Sequence, residues 1–188
     1  MKTIALIPAR LESERFPNKL IKKLHGVPII VRTYLSALNS KLFDQVYVVT
    51  GNDEIIDLIK SKDGLTFKSR KIHQSGTDRI AEAAKEIDHD IVVNLQGDEP
   101  FINIDAINNL ISSFEDNTVK MASLMTSFNS FDEINNPNNV KVTVDKNNNA
   151  IFFSRSPIPE GEDEIKKFNR HIGAVSYTHL RAHETRHY

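Results

Sequence analysis

The 188-residue chain contains no cysteine and no tryptophan, and its formal net charge is only −1. The absence of cysteine excludes disulfide bonds and thiolate chemistry within the chain. A net charge near zero gives no global attraction to nucleic acid or to an anionic membrane, so any anion site must be local. No apolar run approaches the roughly 18 residues of a membrane helix, and no charged-then-apolar leader precedes the first apolar segment. We therefore expect a soluble cytoplasmic protein that binds neither nucleic acid nor membrane.

The common glycine and metal motifs are missing as well. Neither G-x-x-x-x-G-K-[ST] nor G-x-G-x-x-G occurs, which disfavours a dehydrogenase-type dinucleotide domain. No G-x-S-x-G elbow is present, and no histidine cluster has the spacing of a zinc site. What remains is a chain with 39% hydrophobic and 26% charged residues, which is enough to bury a core without forcing disorder.

Short apolar runs alternate with helical periodicities over the first hundred residues. The apolar runs predict buried strands, and the intervening segments place apolar residues at helical spacing. The predicted strands of this part are 4–7, 45–50, 65–68 and 90–95, and the predicted helices are 28–40, 53–60, 77–87 and 104–114. Later runs at 119–126, 139–144 and 150–154 also predict strands. We therefore expect an α/β fold with a mostly parallel sheet, helices on both faces and a later mixed or antiparallel hairpin region.

Basic side chains follow the first predicted strand. Pro8 lacks an N–H and ends the strand, and Arg10, Arg15 and Lys19 come after it. In open α/β sheets, ligands bind beyond the carboxyl ends of the strands. The loop is therefore suited to a multiply charged anion held by side-chain charge. The alternative is a surface loop with ordinary solvated basic residues.

Two further segments carry groups suited to a nucleotide. Gln96–Pro100 follows a buried strand, and Asp98 within it could hold Mg²⁺, although a plain β-turn with solvated acids is an equal alternative. His73–Arg79 is dense in hydrogen-bond donors at a helix start, where an anion or a base edge can bind, or where Gly76 merely makes a tight turn. Arg155 lies in a later basic loop and could grip a carboxylate or cap a strand end.

Several of these segments together resemble one enzyme family. IPARLESERFPNK, HQSGTDRIAEA, VVNLQGDEPFI, NNVKV, FFSRSPIP and RHIG follow the order and spacing of the bacterial 3-deoxy-manno-octulosonate (Kdo) cytidylyltransferases, over about residues 3–173. HQSGTDR together with QGDEP is highly specific, whereas the first loop is shared with sialic acid cytidylyltransferases and sugar nucleotidyltransferases. The resemblance implies a Rossmann-like nucleotidyltransferase fold that converts CTP and Kdo into CMP-Kdo and diphosphate for lipopolysaccharide biosynthesis.

The resemblance also implies roles for individual residues. Arg10 and Lys19 should clamp the CTP phosphates with Arg15 nearby, and Asp98 should bind Mg²⁺, so that Arg10, Lys19 and Asp98 are the catalytic candidates. The cytosine and ribose should lie against Gln74, Ser75, Gly76 and Thr77, and Ala9 is a further substrate-binding candidate. The candidates for binding the sugar acid are Arg79, Gln96, Arg155 and His171.

The chain departs from the family in two places. Asn18 stands where the family often has glycine, and asparagine can adopt the same left-handed conformation. After RHIG the family continues with an aromatic-rich strand, with Tyr expected at the position of Val175, and then with further residues. We expect residues 1–175 to form a nucleotidyltransferase domain that is incomplete at its C-terminus, and residues 176–188 to be a non-native tail. A divergent natural C-terminus is the alternative.

Such a truncation would have consequences for activity. In the family the missing part supplies a second acidic Mg²⁺ ligand, further sugar contacts and packing that helps a homodimer form. We therefore expect little or no turnover from the 188-residue chain itself, and full-rate turnover would contradict this. Alternative functions are a cytidylyltransferase for 8-amino-Kdo or sialic acid, and a nucleotide-binding module without turnover.

Overall fold

The computed structural model describes residues 1–12, 16–73, 75–156 and 168–178, so the predicted site residues Arg15 and Gln74 lie outside the described residues. The contacts divide the chain into two compact units. The first unit comprises Met1–Ala122 with the described residues from Ala174 onward, and the second comprises the described residues of Ser123–Gly173. No helix in the described ranges is both long and apolar enough to cross a bilayer.

The strands and helices of the first unit follow the predicted alternation. They are β1 (Thr3–Pro8), β2 (Lys23–Leu24), β3 (Val27–Pro28), α1 (Ile29–Asn39), β4 (Gln45–Thr50), α2 (Asp53–Lys60), β5 (Leu65–Lys68), α3 (Gly76–Ala84), β6 (Ile91–Asn94) and α4 (Ile104–Ser112). Short 3₁₀ turns occupy Lys19–Ile21 and Ser113–Glu115. The predicted strands and helices of this part are therefore confirmed, with helix α3 ending three residues earlier than expected.

The later elements are β7 (Met121–Ser127), α5 (Phe131–Asn135), β8 (Lys141–Val144), β9 (Ala150–Ser154) and β10 (Asn169–Tyr177). The short helix α5 is not predicted from the sequence, because five residues are too few to display a helical period. Ser130 begins it by accepting a hydrogen bond from the Glu133 amide through its side chain, which satisfies one of the free N–H groups of the first turn.

The sheet of the first unit is parallel in the order β5-β4-β1-β6. Its central strand β1 has five of its six residues buried, which suits a strand covered on both faces. The chain winds outward from β1 through α1 to β4 and through α2 to β5, and α1 contacts α2. It then returns through α3 to β6 on the other side of β1. Because such crossovers are right-handed, this reversal puts α3 on the face opposite α1 and α2.

The reversal of winding defines where a ligand site belongs. The chain leaves β1 in one direction and re-enters the sheet at β6 on its other side, so β1 and β6 flank a topological switch point. The loops at the carboxyl ends of two such strands diverge and leave a crevice between them. The loops after β1 and β6 are those that carry the predicted phosphate and metal groups.

Strand β10 continues the first sheet in the antiparallel direction. Val175 pairs with Asn94 and Ser176 with Val93, and the Ser176 hydroxyl donates to the carbonyl of Val92 at 3.2 Å. Tyr177 is 3% exposed and packs in the same apolar cluster as Leu6. The boundary expected between residues 175 and 176 thus falls inside a paired strand, while the non-native origin of the tail stays a prediction.

The second unit contains the predicted hairpin. Strands β8 and β9 are antiparallel, with Val142 opposite Phe153, and β8 also pairs with the amino-terminal part of β10. A small apolar cluster is formed by Phe128, Ile134 and Phe168. The antiparallel hairpin expected from the sequence is therefore confirmed.

Lys141 is fully buried in the second unit, with 0% exposure. Its ammonium donates to the carbonyls of Asn136, Asn139 and Arg155 at 2.9, 3.0 and 2.6 Å. Burial and the charge of Arg155 lower the pKa of Lys141. Three carbonyl acceptors match the three N–H donors of an ammonium, so this cation ties the loop before β8 to the end of β9.

Replacing Lys141 by Met should destabilise the protein, because Met keeps the buried volume but leaves three carbonyls without their donor. The expected loss is about 3 kcal/mol in the free energy of unfolding, measured by urea titration. Lys146→Met, at an exposed turn residue of the same unit, is the matched control and should change stability by less than about 0.5 kcal/mol. Equal stabilities of the two variants would contradict the role of Lys141.

Candidate active site

Lys19 and Asp98 meet at the switch point of the first unit. Lys19 follows β1, Asp98 follows β6, and the Lys19 ammonium lies 2.6 Å from the Asp98 carboxylate. Each side chain is 41% exposed, so both charges remain accessible to a ligand. The sequence-based expectation that these two groups converge at one rim of the sheet holds in the structure.

Asn18 sets the direction of the chain just before Lys19. Its φ of 58° and ψ of 24° lie in the left-handed region, as expected for a residue that replaces glycine. The amide of Asn18 donates to the carbonyl of Leu11 at 3.1 Å, which closes the loop on itself. This closure delivers Lys19 to the start of a 3₁₀ turn beside the β6 loop.

Gly97 allows the loop after β6 to pass close to the end of β1. A Cβ built on Gly97 would lie 3.0 Å from the Pro8 carbonyl oxygen and 3.3 Å from the Ile30 side chain. The Gly97 carbonyl accepts a hydrogen bond from the hydroxyl of Thr33, a residue of α1 with 0% exposure, at 3.0 Å. Packing on one side and a buried hydrogen bond on the other therefore fix the backbone that presents Asp98.

The loop after β1 is tied down at its first residues. Ala9 is 2% exposed, and its amide donates to the Val49 carbonyl at 3.0 Å. The guanidinium of Arg79, from α3, donates to the Ala9 carbonyl. Arg10 comes next and is exposed. Arg79 thus lies beneath the loop that carries Arg10, and its Nε is buried without a hydrogen-bond partner among the described residues.

Asn52, after β4, holds the next part of this loop. Its side-chain oxygen accepts from the Leu11 amide at 3.4 Å, and its side-chain nitrogen donates to Glu12 at 3.3 Å. The pKa of Glu12 is lowered by its own backbone hydrogen bond, by Asn52, and by the charges of Arg79 and Arg10. Glu12 therefore stays ionised and offsets part of the positive charge of this rim.

The segment before α3 is positioned by a cap and by close packing. Ser75 begins α3, and its hydroxyl accepts from the Asp78 amide at 3.1 Å and donates to the Asp78 carboxylate at 2.7 Å. A Cβ added at Gly76 would lie 3.2 Å from the Pro8 ring. Thr77 follows in the first turn of the helix. The candidate residues Ser75, Gly76 and Thr77 therefore gather at the end of β1 as predicted.

Glu82 anchors the other side of this segment. Its carboxylate accepts hydrogen bonds from the Ser69 hydroxyl at 2.5 Å, from His73 Nε2 at 2.7 Å and from the Arg70 amide at 3.1 Å. Burial raises the pKa of Glu82, but the bonds from Ser69, His73 and Arg70 outweigh it and bring the pKa to about 2. Glu82 is therefore ionised at neutral pH, although its side chain is only 12% exposed.

The carboxylates near the carboxyl ends of β1 and β6 are too few to bind a metal by themselves, so a metal there would also need ligand oxygens from a bound phosphate or water. No cluster of three or more metal-ligating His, Cys, Asp or Glu side chains occurs among the described residues. Mg²⁺ commonly binds through one or two carboxylates and completes its shell with water and phosphate oxygens. The exposed Asp98 carboxylate, already adjacent to a cation, fits that mode of binding. Gln96, between β6 and Asp98, is half-buried and has further interactions.

Two candidates for the sugar acid belong to the second unit. Arg155 is exposed, donates to the Pro137 carbonyl at 3.3 Å and has its own carbonyl bound by Lys141. The His171 ring meets Phe153 edge-on, with centroids 5.2 Å apart, and its amide donates to the Val140 carbonyl at 2.8 Å. Both residues are thus held by the frame of β8, β9 and β10.

Sequence reasoning missed three residues whose hydrogen bonds position the loops of the candidate site. Thr33, Asn52 and Glu82 are polar residues within or next to helices, and the sequence gives Thr33 and Asn52 no distinctive pattern. A weak signal existed only for Glu82, which is a charged residue between the buried Ala81 and Ala83.

Comparison with known proteins identifies the family. The sequence profile of the cytidylyltransferases matches residues 4–188. A 3-deoxy-manno-octulosonate cytidylyltransferase of Flavobacterium johnsoniae is 49% identical over 182 residues, which cover 94% of this chain and 75% of the relative. The protein of the same name from Christiangramia forsetii is 45% identical over 181 residues, which cover 94% of this chain and 73% of the relative.

A solved structure agrees with these relatives. The structure of a CMP:2-keto-3-deoxy-manno-octonic acid synthetase in complex with CTP superimposes with a TM-score of 0.88 at 33% identity, covering 95% of this chain and 75% of the other. The Rossmann-like nucleotidyltransferase fold expected from the sequence is confirmed by this match.

Proposed function

This chain belongs to the family of 3-deoxy-manno-octulosonate cytidylyltransferases, and from that premise we propose that it transfers the cytidylyl group of CTP to Kdo. The products are CMP-Kdo and diphosphate, and CMP-Kdo is the activated sugar used in lipopolysaccharide biosynthesis. The observation that carries the proposal is the 2.6 Å contact between Lys19 and Asp98 at the switch point of the sheet. It brings a phosphate-binding charge and a carboxylate with metal-ligand chemistry to one place.

The reaction requires a bond exchange at the α-phosphorus of CTP. The C2 hydroxyl oxygen of the cyclic sugar acid forms a bond to this phosphorus in line with the leaving group. The bond from phosphorus to the bridging oxygen breaks, diphosphate leaves with the electron pair, and the hydroxyl proton passes to solvent. Such a transfer depends on positioning and on neutralising charge more than on covalent participation of the protein.

The chain's own residues can supply this positioning. In the proposed arrangement Arg10 and Lys19 bind the phosphates, with Arg15 nearby, and Ala9 with Gln74–Thr77 receives the cytidine. Arg79, Gln96, Arg155 and His171 are proposed for the sugar acid. The tight hydrogen bonds of Ala9 and the packing of Gly97 against Pro8 support this assignment, because they hold both loops before any ligand binds.

We also propose Mg²⁺ as the cofactor, held by Asp98. Held by Asp98, this ion would supply positive charge to offset the negative charge that develops on the phosphate oxygens. Asp98 suits this role because its side chain is exposed and its ion-pair partner among the described residues is Lys19, whose side chain is exposed as well. Lys19 can then exchange its carboxylate partner for a phosphate oxygen without leaving a buried charge.

The acceptor can be identified by measuring diphosphate release from CTP with Kdo, 8-amino-Kdo and sialic acid. We expect the highest kcat/KM with Kdo. The assay is run on the 188-residue chain and on a chimera extended with the part of the Flavobacterium johnsoniae relative that this chain does not cover. A preference for another acid would change the acceptor. Binding of CTP in calorimetry without release from any acceptor, in both forms, would indicate a nucleotide-binding module instead.

Asp98→Asn should abolish metal-dependent turnover while leaving the fold intact. Losing the metal ligand should lower kcat by at least about a hundredfold in the chimera. The free energy of unfolding should change by less than about 1 kcal/mol, because the Lys19–Asp98 pair is largely exposed. Asp105→Asn, at an exposed residue of α4, is the control and should keep full activity. A near-normal kcat in Asp98→Asn would exclude Asp98 as the ligand.

Finally, we propose that the protein works in the cytoplasm as a homodimer. The cytoplasmic supply of CTP supports the location. Exposed apolar side chains on β9, Ile151 at 68% and Phe152 at 52%, support the second, because such surfaces are commonly covered by a partner. Sedimentation of the protein as a monomer at micromolar concentration would argue against the dimer.

A further inference from the structure

The segment between β5 and α3 is held by a largely buried carboxylate, that of Glu82, which the reaction itself does not need. We propose that Glu82 is a positioning residue for nucleotide binding: by bonding Ser69, Arg70 and His73 it presets the segment that leads into Ser75–Thr77, which are proposed to contact CTP. The inference deepens the proposed function and rests on it.

The first argument is the placement of the contacts. Glu82 lies within α3, beyond its first turn, and bonds three groups that precede the helix, at 2.5 Å from Ser69, 3.1 Å from Arg70 and 2.7 Å from His73. The amino-terminal side of the loop is thus fastened to the helix that follows it. Its carboxyl-terminal side is fastened by Gly76 against Pro8. Ser75, one of the residues proposed to contact cytidine, lies between these two attachments in the chain, and Thr77 follows the second one directly.

The second argument is the exposure of the pair. The side chains of His73 and Glu82 are only 9% and 12% exposed. A buried carboxylate is costly unless donors surround it, and a Leu or Met at this position would fill the same space without that cost. Hydrogen bonds from three donors to one carboxylate fix the orientation of the bonded groups as well as stabilising them. Apolar packing gives no such orientation. The charge of Glu82 therefore specifies one conformation of the segment 69–73.

The third argument concerns the imidazole. An ionised carboxylate only accepts hydrogen bonds, so His73 Nε2 must carry the proton it donates to Glu82. The ring orientation of His73 is then fixed relative to α3, directly before Gln74 in the chain. A segment that is already held in this way loses little conformational entropy when the nucleotide binds. Its affinity for the nucleotide is therefore higher.

The test compares Glu82→Gln with Glu86→Gln. Glu86 lies one turn further along the chain and makes an exposed ion pair with Arg70 at 3.4 Å, so it matches Glu82 in charge but not in clasping the loop. Calorimetry with CTP and Mg²⁺ gives the Kd separately from the fraction of competent protein. Glu82→Gln should weaken CTP binding about tenfold with unchanged stoichiometry, the effect of losing one charge-assisted hydrogen bond. Glu86→Gln should bind CTP like the unmodified chain.

Hydrogen exchange of the ligand-free protein provides a second readout that does not depend on CTP. Amides in 69–78 should exchange faster in Glu82→Gln and not in Glu86→Gln. Ser69→Ala removes a single donor and should give a smaller change in the same direction, so the inference remains testable if Glu82→Gln folds poorly.

The outcomes separate the inference from the function on which it rests. If the unmodified chain binds no CTP, the proposed function is overturned. If it binds CTP and Glu82→Gln binds equally well, the positioning role is overturned, even where exchange is faster. A lower stoichiometry with an unchanged Kd would also overturn it, because that is the signature of a purely structural defect.

Discussion

The candidate site depends on the way other segments pack around the carboxyl end of β1. Pro8 is the last residue of that strand, and two glycines approach it closely: Gly97 its carbonyl and Gly76 its ring. Because β1 is the central strand at which the winding reverses, the loops after β1 and β6 and the start of α3 must converge there. Small residues at the points of contact allow this convergence. The charged groups Lys19 and Asp98 meet because their backbones are already close.

Most of the fold could be predicted because its signals are local. The buried strands β1, β4 and β6 are apolar runs, and α1 and α2 have clear helical periods. Helix α5 could not be predicted, since it is one short turn stabilised by its cap. The extension of β10 through Ser176 and Tyr177 also escaped prediction, because it results from pairing with β6, a contact remote in sequence.

The charged groups of the candidate site could be predicted from the sequence. The residues that hold its loops in place through hydrogen bonds could not. Arg10, Lys19 and Asp98 follow strands, and the topology of parallel sheets brings strand ends together. Thr33 and Asn52 act through hydrogen bonds to loops far away in the sequence, and Glu82 bonds the segment that precedes its own helix. Nothing in a helix reveals that its one threonine will bond the backbone of another loop. Lys141 belongs to the same class, because a buried lysine cannot be distinguished from an exposed one before its acceptors are known.

The hydrogen bonds that hold these loops matter because the chain has no glycine-rich phosphate-binding loop. A loop that binds phosphate through successive backbone N–H groups is held by its own turn geometry, whereas long cationic side chains lose much conformational freedom on binding. A site built on Arg10 and Lys19 therefore needs a rigid base to limit that loss to the side chains. Arg79 bonding Ala9, Asn52 bonding Leu11 and Thr33 bonding Gly97 each fasten a loop to a helix or to the end of a strand. The polar residues that bond these loops thus keep the site rigid, as the turn geometry of a glycine-rich loop does where phosphate is bound by backbone N–H groups.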